Sequence, residues 1–214
     1  MSVGRAIGIV GGTFDPIHAG HLSMARGAQR QLGLELVLLI PAGIPWQRAP
    51  KASAQDRLAM ACLAVGSDAS LRVDDREVRR NRPSYTLDTL LELRAEWGLE
   101  HPLWLVLGAD AFLNLPTWHR WSELFEQAHI AVACRPGYAF QEKDMDAVLK
   151  NEVDRRLQPL SAVQGPAGAI VLLDTPLLDI SSTGIRQALH SHRPVGDLLP
   201  AAVLDYIESH HLYS

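Results

Sequence analysis

Short apolar runs alternate along this chain with longer stretches of helical period. Ala6–Val10 is the first such run, and Gly11-Gly12 ends it. Residues 19–32 then place Leu22, Ala25, Ala28, Gln29 and Leu32 on or near one face, and Gly33 stands where a helix C-terminus takes a left-handed residue. Leu34–Ile40 is almost wholly apolar, the pattern of a strand buried on both faces of a parallel sheet. Residues 41–53 are rich in proline and small residues and read as a loop. Ser53 with Asp56 opens the next helix, whose predicted buried stripe is Leu58, Ala61, Cys62 and Val65. Leu71–Val73 gives a short strand, and Leu87, Leu90, Leu91, Arg94 and Trp97 an amphipathic helix stopped at Gly98. Pro102–Leu107 and Ala128–Cys134 are further strands, the second closed by Arg135-Pro136-Gly137. Residues 138–167 are the most polar part, with a helix over 143–157, and read as a surface excursion. Ala169–Leu173 is the last strand, after which helices open at Ser181 and cover 200–210. Strands alternating with helices predict an open, doubly wound, mainly parallel α/β sheet. The expected organisation is one domain over 1–214, its C-terminal helical segment at 181–214.

Composition narrows the class. The 214 residues are 47% hydrophobic and 21% charged, values of an ordinary globular protein and not of a disordered one. A net charge of −4 argues against a general nucleic-acid or anionic-membrane surface, so any phosphate site must be made locally. The two cysteines, Cys62 and Cys134, lie in apolar stretches and are expected as buried free thiols of a reducing compartment. The first apolar run is too short for a signal peptide, and no run is long enough to span a bilayer. These features give the expectation of a cytoplasmic protein.

Two stretches carry candidate chemistry. At RAIGIVGGTFDPIHAGHL (5–22) a strand meets a glycine turn and then a helix start, where free N–H groups and the helix dipole favour an anion. His18 and His21, three apart, share a helical face and can donate to phosphate oxygens. At ISSTGIR (180–186) the hydroxyls of Ser181, Ser182 and Thr183 cluster at a second helix start with Arg186 one turn on. One hydroxyl would serve as a cap, but the cluster with its N–H groups makes a second anion site. Gly108 and Asp110 follow a strand, a position suited to ribose, metal or backbone contacts, with an N-cap role for Asp110 as the structural alternative. Trp118 follows a proline break and is the better candidate for a ligand-facing ring, whereas Trp121 reads as core. The arginines at 72, 76, 79, 80 and 82, interleaved with acids, read chiefly as a solvated, self-neutralising stretch.

The string GGTFDPIHAGHL resembles the signature of the HxGH nucleotidylyltransferase superfamily, in the form found in its nicotinate-nucleotide adenylyltransferase family; ISSTGIR resembles that family's ISxTxIR motif. The resemblance covers nearly the whole chain, residues 138–167 only loosely. It implies a Rossmann-like nucleotidylyltransferase fold and transfer of AMP from ATP to nicotinate mononucleotide, with Mg²⁺ arriving on ATP and no protein-bound metal. It assigns catalysis to His18, His21 and Arg186. ATP contacts fall to Gly11, Gly12, Thr13, His18, His21, Gly108, Asp110, Ser181, Ser182, Thr183 and Arg186. The acceptor falls to Thr13, Phe14, Arg48, Tyr85, Thr86, Trp118 and His119, with Trp118 stacked on the pyridine ring. Ala42, Gly43 and Trp46 depart from the commoner PNNxPPH loop. The implied partners are ATP and the acceptor nucleotide, with no nucleic acid and no membrane, in a monomer or homodimer.

Nicotinamide mononucleotide as acceptor and a non-catalytic adenine-nucleotide-binding module are the alternatives. A phosphopantetheine enzyme is disfavoured by the form of the motif, and an aminoacyl-tRNA synthetase fragment by the acidic balance and the lack of a tRNA-binding domain.

Overall fold

The computed structural model describes residues 6–47, 49–134, 145–175, 178 and 180–214. Six strands form one sheet: β1 (Ile7–Gly12), β2 (Leu36–Pro41), β3 (Leu71–Val73), β4 (Leu103–Gly108), β5 (His129–Cys134) and β6 (Ile170–Asp174), in the order β3-β2-β1-β4-β5-β6. Every pairing is parallel. This is the doubly wound arrangement in which strand order reverses between β1 and β4. Of the nine α-helices among the described residues, seven lie between strands, α1 (Ala19–Leu32), α2 (Ala54–Val65), α3 (Arg76–Arg79), α4 (Thr86–Trp97), α5 (Ala109–Leu113), α6 (Leu124–Gln127) and α7 (Ala147–Arg156), and two follow β6, α8 (Ser182–His190) and α9 (Ala201–Ser209).

The strands are buried almost end to end because helices cover both faces. One face packs α1, α2, α8 and α9 over Val10, Val37, Leu39 and Val106; the other packs α4 and α7 over Ile9, Leu38, Leu105 and Ile130. Alternate residues of each strand serve opposite cores, as the two-residue period requires.

Most predicted elements stand within two residues of their expected bounds. Gly33 closes α1 with φ 62°, and Ser53 caps α2 by accepting the Asp56 N–H at 3.1 Å. The stripe on α2 differs: Arg57, Met60, Ala61 and Ala64 are buried, and Cys62 is exposed. Only Cys134 is thus a buried thiol, with burial pushing its pKa up to about 11. The stripe is rotated because Arg57 is drawn inward to backbone carbonyls, which hydrophobic periodicity does not register. In the stretch expected as a surface excursion, α7 seats Leu149 and Val153 in the core, while the break at 135–137 and residues 138–144 lie outside the described residues. Trp121 is only partly buried, like Trp118, and both rest against the α4 side of the core. The arginine stretch is self-neutralising as expected, with Arg76 on Asp74 and Glu96, Arg79 on Asp75, Arg80 on Glu92 and Arg82 on Asp88, but it is not solvated throughout, since the Arg76 and Arg80 side chains are only 11% and 9% exposed. Among the described residues no helix is long and apolar enough to cross a membrane.

Candidate active site

The sheet opens at its carboxyl edge. β1 stays paired with β2 through Gly12↔Pro41, but its pairing with β4 runs only from Ile7↔Leu103 to Ile9↔Leu105. Beyond Ile9 the two strands part, and the crevice lies between Gly11-Gly12 and Leu107-Gly108, where open α/β sheets take ligands. The glycines differ in what demands them. A Cβ at Gly12 would meet the Phe14 ring at 2.8 Å, so the protein itself requires that glycine. A Cβ at Gly11 or at Gly108 would meet nothing within 4 Å among the described residues. Neither lies at positive φ, so the fold leaves open space at both crevice walls.

Phe14 takes a left-handed φ of 51° and turns its ring into the core, 2% exposed. Expected as an acceptor contact, it can reach the crevice only through its backbone. His18 and His21 stack with ring centroids 3.7 Å apart, and the edge of Phe14 backs His21 at 5.0 Å. The His18 backbone N–H donates to His21 Nδ1 at 3.2 Å, which leaves the His21 proton on Nε2 as an outward donor. Burial lowers the His18 pKa to about 4, and burial followed by the neighbouring His18 charge holds His21 well below its ordinary value. Both are neutral near pH 7. His18 Nδ1 is buried without a hydrogen-bond partner among the described residues, an unmet polar atom of the kind that collects at functional sites. Gly20 makes room for that ring, since a Cβ there would lie 3.0 Å from His18 Nδ1.

The expectation of free N–H groups at the α1 start needs correction. The Ala19 N–H donates to the Leu198 carbonyl at 2.9 Å, and the His18 N–H is spent on His21. The long connection from α8 to α9 caps this helix, so anion binding here falls to the imidazoles and the glycine turn. At α8 the three hydroxyls are likewise committed. Ser181 Oγ accepts the Gly184 N–H at 3.1 Å, Ser182 Oγ donates to the Pro16 carbonyl at 3.0 Å, and Thr183 Oγ1 accepts from Arg186 Nη2 at 3.2 Å. Ser182 docks α8 on the first loop, while Ser181 caps the helix and Thr183 steadies Arg186. The N–H groups of Ser182 and Thr183, at the first two helical positions, have no acceptor within the helix.

Arg186 reaches across to that loop and donates to the Asp15 carbonyl at 2.6 Å. Arg57, fully buried, donates to Thr13 O at 2.7 Å and to Gly43 O at 3.0 Å, tying the glycine turn to the loop after β2. Neither Asp15 nor Arg57 was singled out by motif or periodicity. Asp15 lies inside the signature string, but nothing in the sequence says that a charged residue four places before a helix start turns inward.

The other wall is aromatic. Tyr85, at the N-cap of α4, stacks on His119 at 4.2 Å, and the Trp46 ring stands tilted 6.1 Å from Tyr85. This brings the 84–86 and 118–119 segments together as expected. Ser84 Oγ accepts the Gly43 and Ile44 N–H groups at 3.0 and 3.3 Å, which fastens the loop of unusual sequence to the start of α4. Gly43 has a reason of its own there: a Cβ would fall 2.0 Å from the Glu77 carbonyl of α3. Trp118 is half-buried with its body on the core, and His119 is exposed. Gly108, not Asp110, occupies the N-cap of α5; Asp110 is exposed in its first turn, facing no structural duty at the cap. Arg48 lies outside the described residues. Grooves elsewhere, of about 430 Å³ by Arg26 and Arg30 and about 390 Å³ by Trp97 and His101, lack this convergence of glycine turn, imidazoles and helix starts.

A parallel sheet split at its switch point, with a paired-imidazole turn facing a second helix start, defines a nucleotide-transferring α/β protein; the chain belongs to the cytidylyltransferase-like family, whose model matches residues 9–188. Within it the chain belongs with the nicotinate-nucleotide adenylyltransferases. It is 44% identical over 206 residues to the probable nicotinate-nucleotide adenylyltransferase of Yersinia pestis (strain Pestoides F), covering 96% of this chain and 94% of that protein. The protein of the same name from Pseudomonas putida (strain W619) is 47% identical over 211 residues, covering 98% and 95%. Among solved structures, the nicotinic acid mononucleotide adenylyltransferase of Plasmodium falciparum complexed with NaAD shares the fold, with a TM-score of 0.73 at 18% identity over 98% of this chain and 97% of that one.

Proposed function

We propose that this protein transfers AMP from ATP to nicotinate mononucleotide, releasing pyrophosphate. The observation that carries this reading is the open crevice walled by Gly11 and Gly108, with the His18–His21 stack at one lip. An oxygen of the acceptor's phosphate attacks the α-phosphorus of ATP, the bond from that phosphorus to the bridging oxygen breaks, and the electron pair leaves on pyrophosphate. The acceptor phosphate is already ionised near pH 7, so no protein nucleophile or strong base is needed. Catalysis then rests on alignment and on donors placed where negative charge builds up. Neutral His18 and His21 act as hydrogen-bond donors to the transferring phosphoryl group, not as acid or base. The backbone at Gly11, Gly12 and Thr13 approaches the phosphates, and Ser182, Thr183 and Arg186 hold them from the α8 side, with Ser181 shaping that turn. Gly108 and Asp110 flank the ribose.

The acceptor's pyridinium ring lies against Trp118, where cation–π attraction adds roughly 0.5–2 kcal/mol. Its carboxylate meets the N–H groups at the start of α4 beside Tyr85 and Thr86, with His119, Thr13 and Arg48 completing the pocket. We infer that magnesium arrives with ATP, held by phosphates and water. Such an ion would offset charge on the leaving pyrophosphate.

The test is pyrophosphate release from ATP and Mg²⁺ with nicotinate or nicotinamide mononucleotide, run in parallel. Turnover with the acid well above that with the amide is expected. No turnover with either rules out the reaction, and equal turnover rules out acid preference.

A further inference from the structure

Asp15 is 5% exposed, and three distant parts of the chain converge on it. Its Oδ2 accepts the Lys51 N–H at 2.7 Å; its Oδ1 accepts the Ala52 N–H at 3.1 Å and the Tyr213 hydroxyl at 2.7 Å. Arg186 Nη1 lies 3.8 Å from Oδ2 while donating to the carbonyl of the same residue. Asp15 therefore sits between the glycine turn and Arg186, holding the guanidinium by a hydrogen bond to its backbone carbonyl and by an ion pair with its carboxylate. A carboxylate held by three donors has little freedom to rotate, and Tyr213 is the donor whose position is set from farthest along the chain.

The tail takes an uncommon path to make this contact. Tyr213 has φ 66° and His211 φ 51°, left-handed conformations that non-glycine residues avoid. Such backbone persists where the surrounding contacts over-determine it. Burial, then the bond to Asp15, pushes the Tyr213 pKa far up, so its hydroxyl stays a donor at any working pH. A second tail contact is a useful contrast: the Tyr206 hydroxyl donates to Asp56 Oδ1 at 3.0 Å without touching Asp15.

We propose that Tyr213 is a positioning residue for phosphoryl-group binding and transfer: through Asp15 it holds Arg186 and the 51–52 strap in register with the glycine turn. This rests on the reaction proposed above. Deleting the hydroxyl leaves Asp15 one donor short, and the carboxylate turns toward Arg186, pulling the guanidinium away from the phosphates. The loss should fall chiefly on turnover and ATP affinity and much less on the acceptor, whose ring and carboxylate are placed on the other wall, beside Trp118 and the start of α4.

The test uses the full chain as wild type, Tyr213→Phe, Tyr206→Phe, Asp15→Asn and the Tyr213→Phe/Asp15→Asn double variant. Each is assayed by steady-state kinetics, thermal midpoint and titration with a non-hydrolysable ATP analogue. Tyr213→Phe is expected to lower kcat about tenfold and weaken the analogue several-fold, with the KM for nicotinate mononucleotide within twofold. Tyr206→Phe should match wild type in kcat. In the Asp15→Asn background Tyr213→Phe should change kcat and analogue affinity less than twofold further. The proposal is overturned if Tyr213→Phe retains wild-type kcat, if the two losses multiply, or if both tyrosine variants lose activity in step with their thermal midpoints. If wild type shows no turnover with either acceptor, the reaction is what fails, and the analogue titration alone decides the linkage. If Asp15→Asn does not fold, the kcat-against-KM split of Tyr213→Phe beside Tyr206→Phe decides it.

Discussion

His18 titrates at about 4 in the folded protein against 6.5 for the free side chain, because burial penalises its charged form. Between those two values the unfolded chain holds the extra proton, so stability rises with pH through the window and falls as pH drops from 6.5 toward 4. A shift of this size corresponds to a stability contribution on the order of 3 kcal/mol, complete above the upper value. His18→Asn should therefore show a flatter dependence of unfolding free energy on pH between 4 and 6.5 than wild type, measured by denaturant titration. Parallel curves would place the titration elsewhere. Gly20→Ala addresses the same ring from behind. With a Cβ at 3.0 Å from Nδ1, it should displace the imidazole and lower kcat at least tenfold while the acceptor KM holds, read by the pyrophosphate assay. Although His18 is the extended N-cap and only His21 lies in α1, so that their stack is not that of a shared helical face, the histidines were legible in the sequence as a pair three apart at a helix start. Asp15 and Arg57 were not, because an inward charge is recognised only once its partners from residues 51–52, 213 and 43 are in place.

At the scale of elements, buried guanidiniums do what apolar periodicity cannot describe. Arg94 of α4 gathers the carbonyls of Gln127, Leu99 and Pro166 at 2.8, 3.0 and 3.0 Å, and Arg57 of α2 gathers those of Thr13 and Gly43. A cation among carbonyls satisfies several otherwise unmet acceptors with one side chain, which offsets its own desolvation. This is why the buried face of α2 is rotated from its predicted stripe; on α4 Leu87, Leu90 and Arg94 are buried as predicted, but Leu91 is 42% exposed, and Thr89 and Leu93 complete the buried face. The loop of unusual sequence after β2 obeys the same logic. Gly43 is squeezed against α3, and Ser84 bonds its N–H, so this loop and the start of α4 move as one piece. Gly43→Ala cannot be accommodated by a side-chain shift, because the clash is with backbone. We expect a loss of about 2 kcal/mol or more in stability, the range for forced overpacking, and a raised KM for the acceptor as Tyr85 and Thr86 are displaced. An unchanged KM in a folded variant would separate this loop from the acceptor pocket.

Across the whole molecule, alternation of strand and helix yields the class of fold, whereas the strand order and the parting of β1 from β4 depend on long-range pairing that no local pattern encodes. That parting gives Gly11 and Gly108 their significance, one on each wall, with no atom of the described residues near enough to exclude a side chain. A glycine kept by the fold and a glycine kept for a ligand respond oppositely to substitution. At Gly12 the Phe14 ring is in the way, and alanine must cost stability. At Gly11 and Gly108 alanine restricts the unfolded chain more than it strains the native one, so stability should hold or rise by about 0.4–1 kcal/mol. The added methyl would then occupy the space that the nucleotide needs, and ATP-analogue affinity should fall tenfold or more. Thermal melts and analogue titrations of Gly11→Ala, Gly12→Ala and Gly108→Ala distinguish the two cases in one experiment. If Gly11→Ala and Gly108→Ala bind the analogue as wild type does, the nucleotide lies elsewhere on the carboxyl edge and the assignment of the crevice is wrong.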